Sequence, residues 1–282
     1  MSGTTAGVLA DFHAASRDAL ETVRRRLTES TEQAASGDLV TVADQLDAVA
    51  DLLGGEALLR RTLTDSSRPT EDREGLADRL FGQQVASATA DVLRAAVSSS
   101  WARAEDRVVG LRTVAREALL ISAERDGRLD AVEDELFRLG RIVGAEPDLE
   151  RLLSDPTADA DGKQQVLDRL LSDRTEPTTR KLAAQLVAHP VGRGVAQGLE
   201  RLAELAAERR ERSVATVRSP VVLSDQQQER LAGALTRIYR RDITLHLEVD
   251  PGIVGGLVIQ VGDEVIDGSV AGRLDELGRR LG

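Results

Sequence analysis

The sequence predicts a mostly α-helical chain with a small C-terminal α/β domain: two tandem antiparallel helical bundles, then a β-α-β-β-β-α module. Three observations carry this. Aromatic residues are only 2 % of the 282, so the core must be built from Leu, Val, Ile and Ala, as in helices packed along aliphatic stripes. A segment of the first third recurs 90 residues later. Beyond about residue 212, helical periodicity gives way to short alternating runs.

The repeat sets the elements of the first two-thirds. Leu39 to Phe81 aligns without a gap on Leu129 to Leu171. The stripe Leu39, Val42, Leu46, Val49, Leu53 becomes Leu129, Val132, Leu136, Leu139, Val143, and steps of three and four put each set on one helix face. Leu59, Leu63 and Asp65 return as Leu149, Leu153 and Asp155, and Asp78, Arg79 and Leu80 as Asp168, Arg169 and Leu170. Upstream, SRDALE at Ser16 resembles AREALL at Ala115, which requires about nine inserted residues. Each copy reads as a helix, a long amphipathic helix, a short helix, a loop, another short helix and a longer pair. Short loops make such neighbours antiparallel. TDSSRPTED and SDPTADADG supply Ser, Asp and Pro for turns and caps.

Trp101 to Asp126 contains no proline, so the last helix of the first copy should run into the first helix of the second. Its 26 residues would span about 39 Å, with Gly110 as the weak point. Pro190 should end a helix of the second copy near His189. The expected domains are residues 1–110 (an extra helical bundle), 111–212 (the second bundle) and 213–282 (the α/β domain).

In the last domain SVATVRS reads as a strand, and Ser224 with Gln227 forms a capping box at a helix start. ITLHLEVD alternates, with Ile243, Leu245, Leu247 and Val249 on one face. GLVIQVGDEVID reads as two strands joined at Gly262-Asp263, and VAGRLDELGRRLG as a closing helix.

The glycine-rich stretch from Val249 to Val270 could be a phosphate loop, but its glycines match neither G-x-x-x-x-G-K-[ST] nor G-x-G-x-x-G, and no lysine lies nearby. A structural role explains more: Asp250-Pro251-Gly252 as a turn, Gly255-Gly256 as a bulge or close approach, Gly262-Asp263 as a hairpin, and Asp267-Gly268-Ser269 leading into a capped helix.

Composition narrows the function classes. The net charge of -11 argues against a nucleic-acid binder, which needs a clustered basic surface. The absence of cysteine excludes disulfides, thiol catalysis and Cys-ligated zinc. No run approaches the roughly 20 apolar residues that cross a bilayer, and the first residues do not read as a signal peptide, so any membrane association is expected through a partner. Thr157, Asp159, Asp161, Gly162 and Asp168 approach EF-hand spacing, but with Thr first and Asp twelfth a turn and capping role is expected. The three histidines are not paired by spacing, and Trp101 reads as core before partner anchor.

TVRSPVVLSDQQ followed by ITLHLEVDPGIVGGLVIQVGDEVIDGSVAGRLDEL resembles the C-terminal region of the delta subunit family of F-type ATP synthases, related to the oligomycin-sensitivity-conferring protein. Asp250, Gly255, Gly256, Gly262, Asp263, Asp267 and Ser269 are the motif positions. The second copy, with AREALLISAERDGRLDAVEDEL and LLSDP, is similar to the family's N-terminal six-helix bundle, so the resemblance spans Leu111 to Gly282. The added first copy is similar to extended actinobacterial forms. The resemblance implies a non-catalytic stator connector of the peripheral stalk, without cofactor or metal, peripheral on the cytoplasmic face of the plasma membrane. It implies that the bundle grips alpha subunits of the catalytic head and that the C-terminal domain meets the b subunit. The gripping groove is expected between Val114–Ala123 and Thr179–Ala188, with Leu120, Leu182, Leu186 and Val187 as partner-binding candidates, each also readable as core. An unrelated helical adaptor and a nucleotide-binding enzyme are the alternatives.

Overall fold

Aliphatic stripes at helical spacing build the first two-thirds of the chain. The computed structural model describes residues 12–65, 68–171, 175–190, 194–212, 214–239, 243–262 and 264–268. The first copy supplies α1 (Ala14–Ser30), α2 (Ser36–Gly55), α3 (Ala57–Thr64), α4 (Thr70–Phe81) and α5 (Ser87–Ser98). Then come α6 (Ala104–Arg125), α7 (Leu129–Ala145), α8 (Pro147–Ser154), α9 (Ala160–Leu170), α10 (Pro177–Ala188) and α11 (Val195–Arg212). All ten residues of the two expected stripes are buried.

The shift of 90 governs helix positions as well as residues. α3 maps onto α8 and α5 onto α10 at both ends, and α1 and α6 start at 14 and 104. The nine-residue insertion inferred upstream is therefore absent. The extra length lies at the C-terminal end of α6, which reaches 125 where a shifted α1 would end at 120. SRDALE and AREALL are alike locally, but the helix starts at 14 and 104 keep the 90-residue register.

α6 is the continuous helix expected at the junction, 22 residues and about 33 Å long. It starts at Ala104 rather than Trp101 because Trp101 turns back onto it: Trp101 Nε1 donates to the Ala96 carbonyl at 2.9 Å, and the ring lies over Gly110. A Cβ on Gly110 would sit 2.3 Å from the ring, so this glycine is a docking point rather than a weak one. Phe12 adds a tilted ring 6.5 Å away. α6 is buried nearly all round, as a helix packed on every side must be. It packs along α2 more extensively than any other helix pair and also contacts α1, α3, α7 and α10, so it serves both copies.

Polar residues that close helix ends repeat with the stripes. Gln45 Oε1 on α2 accepts from Ala86 N and Thr89 Oγ1 at the start of α5, at 2.9 and 2.7 Å. Shifted by 90, Glu135 on α7 accepts from Glu176 N and Thr179 Oγ1 at the start of α10, the latter at 2.6 Å. At the other ends, Arg73 Nη1 donates to Val97 O at 2.6 Å and Lys163 Nζ to Val187 O at 3.5 Å. Each copy thus closes its fifth helix with an acceptor from the second helix and a buried cation from the fourth, satisfying backbone groups that helix ends leave open.

The chain divides into two compact units, Met1–Glu204 and Leu205–Gly282, with the division inside α11. The second contains a four-stranded sheet in the order β2-β1-β3-β4. β1 (Val214–Ser219) pairs parallel with β2 (Thr244–Val249), so the connection between them must cross over, and α12 (Asp225–Tyr239) supplies it. β3 (Val258–Val261) runs antiparallel to β1 and β4 (Glu264–Asp267) antiparallel to β3. Ala215, Val217, Leu235, Ile243, Ile259 and Val261 form its core. The capping box is present: Ser224 N donates to Gln227 Oε1 at 2.9 Å and Gln227 N to Ser224 Oγ at 3.4 Å. Leu245 and Leu247 are half-buried as the alternation predicts, but Val249 at the end of the edge strand is 52 % exposed. The closing helix expected near the end lies outside the described residues.

Candidate functional site

The glycine motif resolves into turns. Gly255 and Gly256 have φ of +69° and +85°, conformations that side-chain-bearing residues rarely adopt, just ahead of β3. Val261 pairs with Glu264 across a two-residue connection whose first member, Gly262, has φ +56°. Asp250 Oδ1 accepts from Gly252 N at 2.9 Å, and Asp267 pairs with Val258 in the ladder. Asp263 and Ser269 lie outside the described residues. The described motif residues build the sheet; among them no cradle of converging donors forms.

The EF-like segment is likewise structural. Asp159 caps α9 by accepting from Gly162 N at 2.7 Å, and Asp155 Oδ1 accepts from both the backbone and the hydroxyl of Thr157, which hold its carboxyl below the ordinary value.

The four partner-binding candidates, Leu120, Leu182, Leu186 and Val187, are all buried, none more than 3 % exposed. In this structure they offer no surface to a partner. α2 of the first copy runs along α6, and its acidic face reaches across to α10. Along the expected groove, α2, α6 and α10 meet in a charged seam. Lys181 Nζ contacts both carboxylate oxygens of Asp44 at 2.7 Å. Arg112 Nη2 donates to Asp51 at 2.7 Å, and His189 Nε2 lies 2.6 Å from the same oxygen. Arg116 Nη2 donates to the carbonyls of Gln185 and His189, both at 3.2 Å, closing the C-terminal end of α10. Burial, reinforced by Asp51, holds the Asp47 carboxyl above its ordinary value. Burial pushes the Arg116 guanidinium down to about 10. Burial and then Arg112 push the His189 imidazole down.

Sequence reasoning set aside His189 and did not single out Arg112, Arg116 or Asp47. A signal existed: Asp44, Asp47 and Asp51 share one helix face, the second copy has Asp134, Phe137 and Arg141 there, and a change of polarity between copies marks a face with two different neighbours.

The seam's charges meet one another and helix ends, and the glycines meet turns. Such an arrangement holds helices and strands together, the work of a structural protein. Residues 115–281 match the ATP synthase delta (OSCP) subunit family, and the chain belongs to that family. It is similar to the ATP synthase subunit delta of Streptomyces coelicolor, 45 % identical over 97 % of this chain and 99 % of that protein. The subunit delta of Streptomyces griseus is 44 % identical over 96 % of this chain and 99 % of its own length, and that of Nocardia farcinica 45 % over 96 % and 100 %. The added first copy is thus shared by full-length relatives. The family is one of structural stator subunits, not catalytic ones. It is a peripheral component, and no described helix is long and apolar enough to cross a membrane.

Proposed function

We propose that the chain is the stator connector of an F-type ATP synthase, linking alpha subunits of the catalytic head to the b subunit of the peripheral stalk so that rotor torque is resisted during proton-driven synthesis. The observation that carries this is similarity over nearly the whole chain to proteins named ATP synthase subunit delta. A helical bundle suits the head because amphipathic segments dock against helix faces, and an α/β module suits the stalk. Leu120, Leu182, Leu186 and Val187, being core, would set the shape of the bundle that grips the head rather than make the contact. The protein would sit at the cytoplasmic face of the plasma membrane, held there by its partners.

The test is add-back. Membranes stripped of the subunit should regain proton-driven ATP synthesis with the full chain, while the chain alone hydrolyses no Mg-ATP. Gly256→Val places a β-branched residue at φ +85° and should cost roughly 1–3 kcal/mol in the second unit, weakening b-subunit binding while α-helical circular dichroism is largely kept. Hydrolysis by the pure protein, or full stalk binding by an unfolded second unit, would sink the reading.

A further inference from the structure

We infer that the face of α7 carrying Asp134, Phe137 and Arg141 docks a single helix of a partner protein, one with a basic, an apolar and an acidic residue at positions i, i+4 and i+8. The argument comes from the repeat. Shifted back by 90, these positions are Asp44, Asp47 and Asp51 on α2. In the first copy a helix already covers that face: Asp44 holds Lys181 of α10 at 2.7 Å and Asp51 holds His189 at 2.6 Å. The two helices run parallel along this contact, because ascending positions on α2 meet ascending positions on α10. Lys181, Gln185 and His189 are spaced by four, so they share one face of α10.

In the second copy the matching face of α7 is open within the unit Met1–Glu204: the Asp134 side chain is 54 % exposed and Arg141 is exposed. Stacked repeats normally end on a polar face. Here the polar face is interrupted at its centre: Phe137 is 51 % exposed, where its counterpart Asp47 is partly buried in the seam. Beneath the seam, Arg112 of α6 becomes, 90 residues on, the buried Leu202 of α11. The charged centre of an internal interface has thus been exchanged for an apolar one where the face is open. The flanks set the chemistry of the occupant. Asp134, paired with Arg138 at 2.8 Å, keeps the charge that Asp44 offers to Lys181, so a basic residue belongs at i. Arg141 reverses the charge of Asp51, so an acidic residue replaces His189 at i+8. Phe137 between them takes an apolar residue at i+4, as exposed aromatics at interface centres do.

The inference rests on the connector reading for the choice of assembly. The full chain carrying p-benzoylphenylalanine at position 137 is added back to synthase stripped of this subunit and irradiated. A cross-link to a helical segment with the basic–apolar–acidic spacing is expected. Phe137→Ser, at a half-exposed position, should keep the wild-type melting temperature and weaken reassembly by about tenfold. A cross-link within the chain, to a second copy, to a segment without that spacing, or none at all would overturn the inference while leaving the connector reading intact. Unchanged reassembly of Phe137→Ser would overturn it as well. Failure of the wild-type chain to reassemble would overturn both.

Discussion

Trp101 and Gly110 show how much one residue can hide. The sequence marks Gly110 as a helix-weakening position and Trp101 as a helix start. Together they are one contact, an indole closing over the helix turn that has no side chain. This was not legible because a glycine's propensity cost and its packing benefit read identically in one sequence. Gly110→Ala removes the cost, worth about 1 kcal/mol in a helix interior. It also drives a methyl into the ring, and overpacking of this kind costs about 1–3 kcal/mol. The contact should win: the variant is expected to melt earlier, and emission from the protein's sole tryptophan should shift to the red as the ring lifts. A higher melting temperature with unchanged emission would mean that the ring is not seated on Gly110.

At the scale of elements, the aliphatic stripes were legible because burial follows helical period directly, and the capping box at Ser224 because its two residues are neighbours in sequence. The helix ends closed by distant residues were not. Gln45 and Glu135 reach across 41 residues to cap α5 and α10, and nothing local announces it. The repeat offers a natural control: Glu135→Gln should be mild, since glutamine already does the same work at position 45. Glu135→Ala should cost about 0.5–2 kcal/mol, the usual loss of a cap, read by chemical denaturation. The α2–α6–α10 seam is where pH should be felt. The groups facing His189 are Asp47, Asp51, Arg112 and Arg116. Its folded value is depressed below the ordinary value of about 6.5, so the stability it contributes is present above that pH and is lost as pH falls through the folded value. Asp47 has the opposite sign. Its folded value is raised, so protonation adds stability as pH falls from that value toward about 3.9. Between pH 7.5 and 5.5 the wild type should therefore lose melting temperature that His189→Gln retains. Parallel curves for the two proteins would show that the imidazole does not sense the seam.

For the whole molecule, duplication was legible and its joinery was not. The 90-residue shift can be read by eye, and it suggests a division of the chain at about residue 110. That position lies within α6, and α6 packs on helices of both copies. Sequence periodicity cannot show that one helix serves twice, because a helix buried on every side loses the polar stripe that would reveal a second neighbour. We propose that the two bundles are separable only if each keeps this helix. A fragment of residues 1–110 would retain the α2 stripe from Leu39 to Leu53 but lack Leu111, Val114, Ala115, Ala118 and Leu119, all buried residues of the helix that α2 packs along. Removing so much apolar cover exceeds what a domain of that size can spare. Residues 1–126 keep the whole helix, and with it Arg125, whose guanidinium donates to the Thr31 carbonyl at 2.8 Å and closes the end of α1. In thermal melts followed by circular dichroism, the 1–126 fragment should unfold cooperatively and the 1–110 fragment should show a broad, non-cooperative loss of helix. A cooperative transition in the shorter fragment would mean that the first copy is self-sufficient and that α6 belongs to the second alone.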